Sequence, residues 1–302
     1  MLYSYDAARI GGLLLWDLLV EPFVEFAFMR RALVGGSILS LSAAPIGIFL
    51  MFRRMSLAGD AMAHAVLPGA AAGFLISGLA ILPMTLGGFA AGLIVAILSG
   101  LVSRLTIQRE DSSLAAFYLI SLALGVLLIS LRGSNVDLVH VLFGTVLALD
   151  NDALILIGIV ATVTLVGIAA VWRPLVADSL DPQFLRSVSR SGNVAHLIFL
   201  TLAVLNLVGG FQALGTLMSV GLMILPAAAA RFWARSLEGI CGLAIVTGLL
   251  STYFGLLLSY YLGVASGPSI ILVAGAVYVI SLLAGTRGAI SSRLRSTRHR
   301  TA

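Results

Sequence analysis

From residue 35 onward the chain is a series of long apolar runs separated by short polar links. The runs cover approximately 35–52, 57–78, 82–102, 113–131, 152–172, 194–211, 213–230, 239–262 and 268–286. Each approaches the roughly 20 residues that carry a helix across a hydrocarbon layer of about 30 Å. The pattern predicts an all-α, polytopic transmembrane bundle of about eight or nine spanning helices. Upstream the pattern changes. Ile10–Met29 is apolar overall, but Asp17, Glu21 and Glu25 recur every four residues and Pro22 interrupts it. That spacing describes an amphipathic helix lying at the membrane surface rather than crossing it. Three regions follow: an interfacial segment at 1–34, a membrane domain at 35–286, and a basic tail at 287–302.

Composition agrees and narrows the class. Only 10% of the residues are charged and 60% are hydrophobic, against roughly 25% charged in a soluble domain. Mean hydropathy is +1.10. All 18 basic residues are Arg, with no Lys anywhere. A Walker A loop needs a Lys to reach nucleotide phosphates, so any ATP that drives this protein binds elsewhere. The single cysteine, Cys241, excludes an internal disulfide and a Cys-rich metal site, and reads as a small core residue. No basic leader with a cleavable apolar segment stands at the N-terminus.

The arginines orient the bundle. Nine spans place Arg53/Arg54, Arg104/Arg109, Arg173/Arg186/Arg190, Arg231/Arg235 and the whole basic tail on one face. Only Arg9, Arg30, Arg31 and Arg132 remain on the other. Basic residues collect on the cytoplasmic side, so the N-terminus is expected outside and the C-terminus inside. The net charge of +5 then reflects topology and not nucleic-acid binding.

Within the second run, Asp60 and His64 stand at i, i+4 and share a helix face. A carboxylate and an imidazole are both good ligands for divalent first-row metals, and ionisable groups at membrane depth are costly enough to suggest function. Counting from Arg54, a regular helix would place Asp60 about 9 Å and His64 about 15 Å along its axis, near the midplane. Pro68 cannot donate to the His64 carbonyl, so a break is expected here, as in transporters that build ion sites from interrupted helices. The other reading is that the pair bonds neighbouring helices as polar glue. Two ligands are fewer than the four zinc prefers, so the site would be incomplete within one chain.

Other polar positions are less specific. Asp137 and His140, in an outside loop, are candidate entrance ligands or an ordinary polar turn; His196 and His299 read as incidental. Asn206 and Gln212 flank Gly209-Gly210, a helix break or a tight approach, and Pro226 is a second expected break. Asp181-Pro182 opens a short helix in the longest inside link, with Asp at the cap and Pro at the first helical position. That segment either docks a partner or simply connects two spans. No His-Glu-x-x-His, no Gly-x-Ser-x-Gly and no paired intramembrane carboxylates occur, which disfavours an intramembrane enzyme.

Phe28-Met-Arg-Arg31, the block from Arg53 to Gly69, Arg109-Glu-Asp111, Val136–Gly144, Trp172-Arg-Pro174, Leu225–Arg231 and Ser266–Gly275 resemble, in order, the permease subunits of zinc/manganese ABC importers, the ABC-3 family. The resemblance runs from about residue 22 to 285, and Gly-Asp-Ala-x-x-His-Ala-x-x-Pro-Gly is its most specific part. It implies a type II importer permease that pairs as a homodimer, with two cytoplasmic ATPase subunits and an extracytoplasmic metal-binding protein. It implies metal ligation by Asp60 and His64, and ATPase coupling through Asp181, Pro182, Gln183, Phe184, Leu185 and Arg186. After Arg186 the chain reads Ser187-Val-Ser-Arg-Ser-Gly192, where family members tend to continue with Ala and Gly. The implied setting is a multi-pass protein of the bacterial inner membrane, with no permanently bound cofactor. Its expected cargo is Zn2+ or Mn2+, zinc slightly favoured. A siderophore-type chelate importer would need no pore ligands, and an ATP-independent secondary transporter would be expected to carry an internal repeat, which is not evident.

Overall fold

The computed structural model describes residues 16, 18–78, 80–131, 149–180 and 191–289. Among them there is helix and no strand. The helices are α1 (Glu21–Glu25), α2 (Ala27–Phe52), α3 (Ala58–Ala65), α4 (Leu67–Ser77), α5 (Ile81–Leu105) and α6 (Glu110–Leu131). After them come α7 (Asn151–Ala170), α8 (Trp172–Leu180), α9 (Ser191–Leu214), α10 (Thr216–Ala230), α11 (Leu237–Leu262) and α12 (Ser266–Ala284). Eight of these, taking α3 and α4 together as one, are long and apolar enough to cross a bilayer. The remaining apolar run, 213–230, forms α10, whose 15 residues reach only about 22 Å.

Helices α2, α9 and the α3–α4 pair are the most buried, and α5, α6, α7 and α12 leave most of their surface outward. Every residue of α2 from Ser42 to Leu50 is buried. That stretch is apolar on all sides, as a helix without a solvent face must be. Some buried polar groups join helices: Asn206 Nδ2 donates to Ser42 Oγ at 2.7 Å, and the Ser40 and Thr252 hydroxyls meet at 3.5 Å. Glycines bring backbones together where α4 crosses α5. A Cβ on Gly69 would run into the Gly87 carbonyl, and one on Gly87 into that of Gly69.

Two details differ from the sequence reading. The first long helix begins at Ala27 and not near 35, because Arg30 turns back to donate to the Val24 carbonyl at 2.5 Å and lets the chain enter α2 early. Short α1 is tied to α11 by Phe23 stacking on Tyr253 and by Tyr253 Oη donating to Leu19 O at 2.7 Å. Helix α10 carries Pro226 inside a continuous helix, where a break was expected. Leu222, Met223, Ala227, Ala229 and Ala230 are buried on both sides of the proline, so packing holds its line. Of the two readings of Gly209-Gly210, the tight approach holds: α9 runs unbroken through them, and they lie close to Val160 and Ser219.

The end of α2 is unusual. Met55 N–H bonds Leu50 O at 2.8 Å and Arg54 N–H bonds Met51 O at 3.1 Å, the pairing of a Schellman cap. The left-handed position such a cap requires is held by Arg54, with φ of 58°, where glycine is the usual occupant.

Candidate functional site

Helix α3 reads Ala-Gly-Asp-Ala-Met-Ala-His-Ala, and every residue in it except Asp60 and His64 is buried. The small residues let α5, α6, α9 and α10 close in on the helix. The acid and the imidazole are left on the one open face. His64 Nε2 lies 3.6 Å from Asp60 Oδ1, with the side chains 30% and 60% exposed. The imidazole rests against the Tyr118 ring, centroids 6.1 Å apart. His64 Nδ1 is buried without a hydrogen-bond partner among the described residues.

The helix ends just beyond. Val66 N–H donates to the His64 carbonyl, the bond that Pro68 has no N–H to make. Ser121 Oγ from α6 donates to Ala65 O at 2.9 Å. Ala70 N–H then bonds Val66 O at 3.1 Å, and helix resumes as α4 with Pro68 in its first turn. The freed carbonyls are thus taken up by protein, and the His64 carbonyl is already accepting a bond.

This geometry fits a cation better than helix glue. Neither Asp60 nor His64 hydrogen-bonds a neighbouring helix among the described residues, as glue would require. At metal–ligand distances of roughly 2.1–2.2 Å, donors 3.6 Å apart subtend about 110–120° at a shared ion. Among the described residues no third His, Cys, Asp or Glu joins them. An exposed carboxylate is expensive against lipid, so this face must meet water or another polar surface. Asp137, His140, His299 and Asp181–Arg186 lie outside the described residues.

A second group of charged residues was missed. His196, which the sequence suggests is incidental, sits among Arg53, Asp178 and Glu110. Arg53 Nη2 is 2.7 Å from Asp178 Oδ2, Arg53 Nη1 meets His196 Nδ1, and His196 Nε2 is 2.9 Å from Glu110 Oε1. The guanidinium also lies over the Phe199 ring, 4.9 Å from its centroid. A guanidinium can only donate, so Nδ1 must be the acceptor and Nε2–H the donor to Glu110. Burial pushes the Arg53 guanidinium below its usual value, while Asp178 and then Glu110 oppose the shift. The signal available in the sequence was that each of these residues borders an apolar run on the Arg-rich side; nothing in it joined them.

The chain as a whole resembles known proteins. Residues 25–285 match the model of the ABC 3 transport family. The manganese import system permease protein ScaB of Streptococcus parasanguinis is 33% identical over 281 residues, covering 93% of this chain and 96% of that protein. The manganese transport system membrane protein MntC of Listeria monocytogenes is 30% identical over 279 residues, with 92% and 98% covered. Among solved structures, PsaBC from Streptococcus pneumoniae in complex with Fab matches with a TM-score of 0.78 at 29% identity, over 91% of this chain and 98% of that one.

Proposed function

The chain belongs to the ABC 3 transport family, the membrane permease of a metal ABC importer with ATP hydrolysis on a separate subunit, and from that premise we propose that it imports manganese. The sequence leaned slightly toward zinc. The two relatives described above are named for manganese, and an Asp with a His is a ligand pair manganese accepts. The observation that carries the reading is the open acid–imidazole face on an otherwise buried helix.

In this proposal two copies of the chain face each other across a central path, each presenting Asp60 and His64. Pairing completes a ligand set that one chain leaves at two, and it covers a carboxylate that lipid would not tolerate. An extracytoplasmic binding protein delivers the ion to the outer end, where Asp137 and His140 are candidate entrance ligands. Two ATPase subunits dock below, on the segment Asp181–Arg186, with the N-terminus outside and the tail at 287–302 inside. The pair binds the ion tightly enough to admit it and loosely enough to release it. A chelate importer needs no such ligands, so the open pair weighs against that alternative.

The test is uptake of radioactive manganese, zinc and iron(II) in proteoliposomes containing the permease, its co-purified ATPase and the binding protein. Asp60→Ala and His64→Ala should each reduce ATP-dependent manganese uptake by about 10- to 100-fold, with assembly intact. Full-rate uptake in both variants would overturn the pathway, and wild-type uptake of zinc alone would overturn the metal.

A further inference from the structure

The Arg53 cluster lies apart from the metal pair, and no step above uses it. Its four members come from four places in the chain: the end of α2, the last turns of α8, the first turns of α9 and the first turn of α6. Arg53 and Asp178 are 7% and 13% exposed. Arg53 at the C-terminus of α2 and Glu110 at the N-terminus of α6 sit at helix ends that favour their charge, whereas Asp178, in the last turn of α8, relies on Arg53 for its partner. Helices α8 and α9 bracket residues 181–190, and Arg53 is seven residues before Asp60 across the turn capped by Arg54.

We propose that Arg53 is a positioning residue for transport. Through Asp178 and His196 it grips the two helices that bracket 181–190. Through the turn that follows, it carries their displacement to α3 and so to Asp60 and His64. A buried guanidinium held by the Asp178 carboxylate and the His196 ring, with Glu110 reached through the histidine, has few alternative partners, so α8, α9 and the α2–α3 turn move as a unit. His196 is the link whose tautomer matters: its lone pair takes the Arg53 hydrogen and its N–H holds Glu110, so the pull on Arg53 is shared with α6. This rests on the reading of Asp181–Arg186 as the ATPase-coupling segment.

The experiment measures ATP hydrolysis and manganese uptake together on the reconstituted complex with its binding protein. Arg53→Met and Asp178→Asn should keep hydrolysis within about twofold while uptake per ATP falls about tenfold, and the double variant should be no worse than Arg53→Met alone, which already removes the contact that Asp178→Asn breaks. His196→Gln, whose amide still offers one acceptor and one donor, should retain uptake per ATP within about threefold, and His196→Phe should lose it like Arg53→Met. Uptake per ATP unchanged in Asp178→Asn and His196→Phe would overturn the proposal. So would a loss of uptake fully accounted for by slower hydrolysis. Should Arg53→Met fail to assemble, the contrast between Gln and Phe at position 196 decides. If the wild-type complex itself shows no ATP-dependent metal uptake, the importer reading fails, and this inference with it.

Discussion

Arg54 adopts φ of 58° at the cap of α2 with its side chain exposed, a conformation that costs an ordinary residue about 1–2 kcal/mol. Its neighbour Arg53 is buried and ionically committed, so adjacent arginines of one motif do opposite work: one shapes the turn, the other holds it. Arg54→Gly should therefore leave stability unchanged or raise it by up to about 1 kcal/mol. Arg54→Val, β-branched at a positive φ, should lower it by about 1–2 kcal/mol or more. Thermal unfolding of the purified protein in detergent distinguishes these; a Val variant as stable as wild type would mean the cap is not strained. In the sequence, both arginines served only to orient the chain. Their division of labour depends on a backbone angle and on partners far along the chain, and neither is local information.

At the level of elements, the contact of α4 with α5 is set by two glycines that face each other's carbonyls. No rotamer change relieves a clash with backbone, so Gly69→Leu should cost at least the roughly 3 kcal/mol at the upper end of overpacking. Gly275→Ala on α12, where a Cβ meets nothing within 4 Å, should be neutral or slightly stabilising by up to about 1 kcal/mol. Size-exclusion profiles after heating compare the two; equal melting would refute the close crossing. The interruption after His64 was legible, because Pro68 lacks the donor that a continuous helix needs. The continuity of α10 through Pro226 was not, since the same missing donor is outweighed there by packing on both sides. A proline identifies a lost hydrogen bond, and the surroundings decide whether the helix stops.

For the molecule as a whole, the hydrophobic pattern was enough to give the class, the approximate spans and the metal-pair candidates. It could not give the Arg53 cluster, whose other members lie 57 to 143 positions beyond Arg53 and meet it only after the helices pack. Orientation is open to direct measurement. In a Cys241→Ser background, Val264→Cys in the α11–α12 turn should react with a membrane-impermeant maleimide on intact cells. Ile107→Cys in the fully exposed α5–α6 turn should react only after permeabilisation. The reverse pattern would invert the proposed topology.

Helix α10, about 22 Å long, is shorter than a layer of about 30 Å. The crossing that the proposed topology assigns to it is therefore completed with its neighbours, and Gly215 ahead of it is buried with the residues on both sides. The helix packs on α2 and α9, which precede it, and on α11 and α12, which follow. On the ribosome, then, α10 emerges before half of its eventual surroundings exist. Its place in the bilayer is conferred late, when α11 and α12 arrive to enclose it. The last third of the chain is therefore expected to mature as a unit, and a polypeptide halted after Ala230 would end in a helix held on one side only, by α2 and α9.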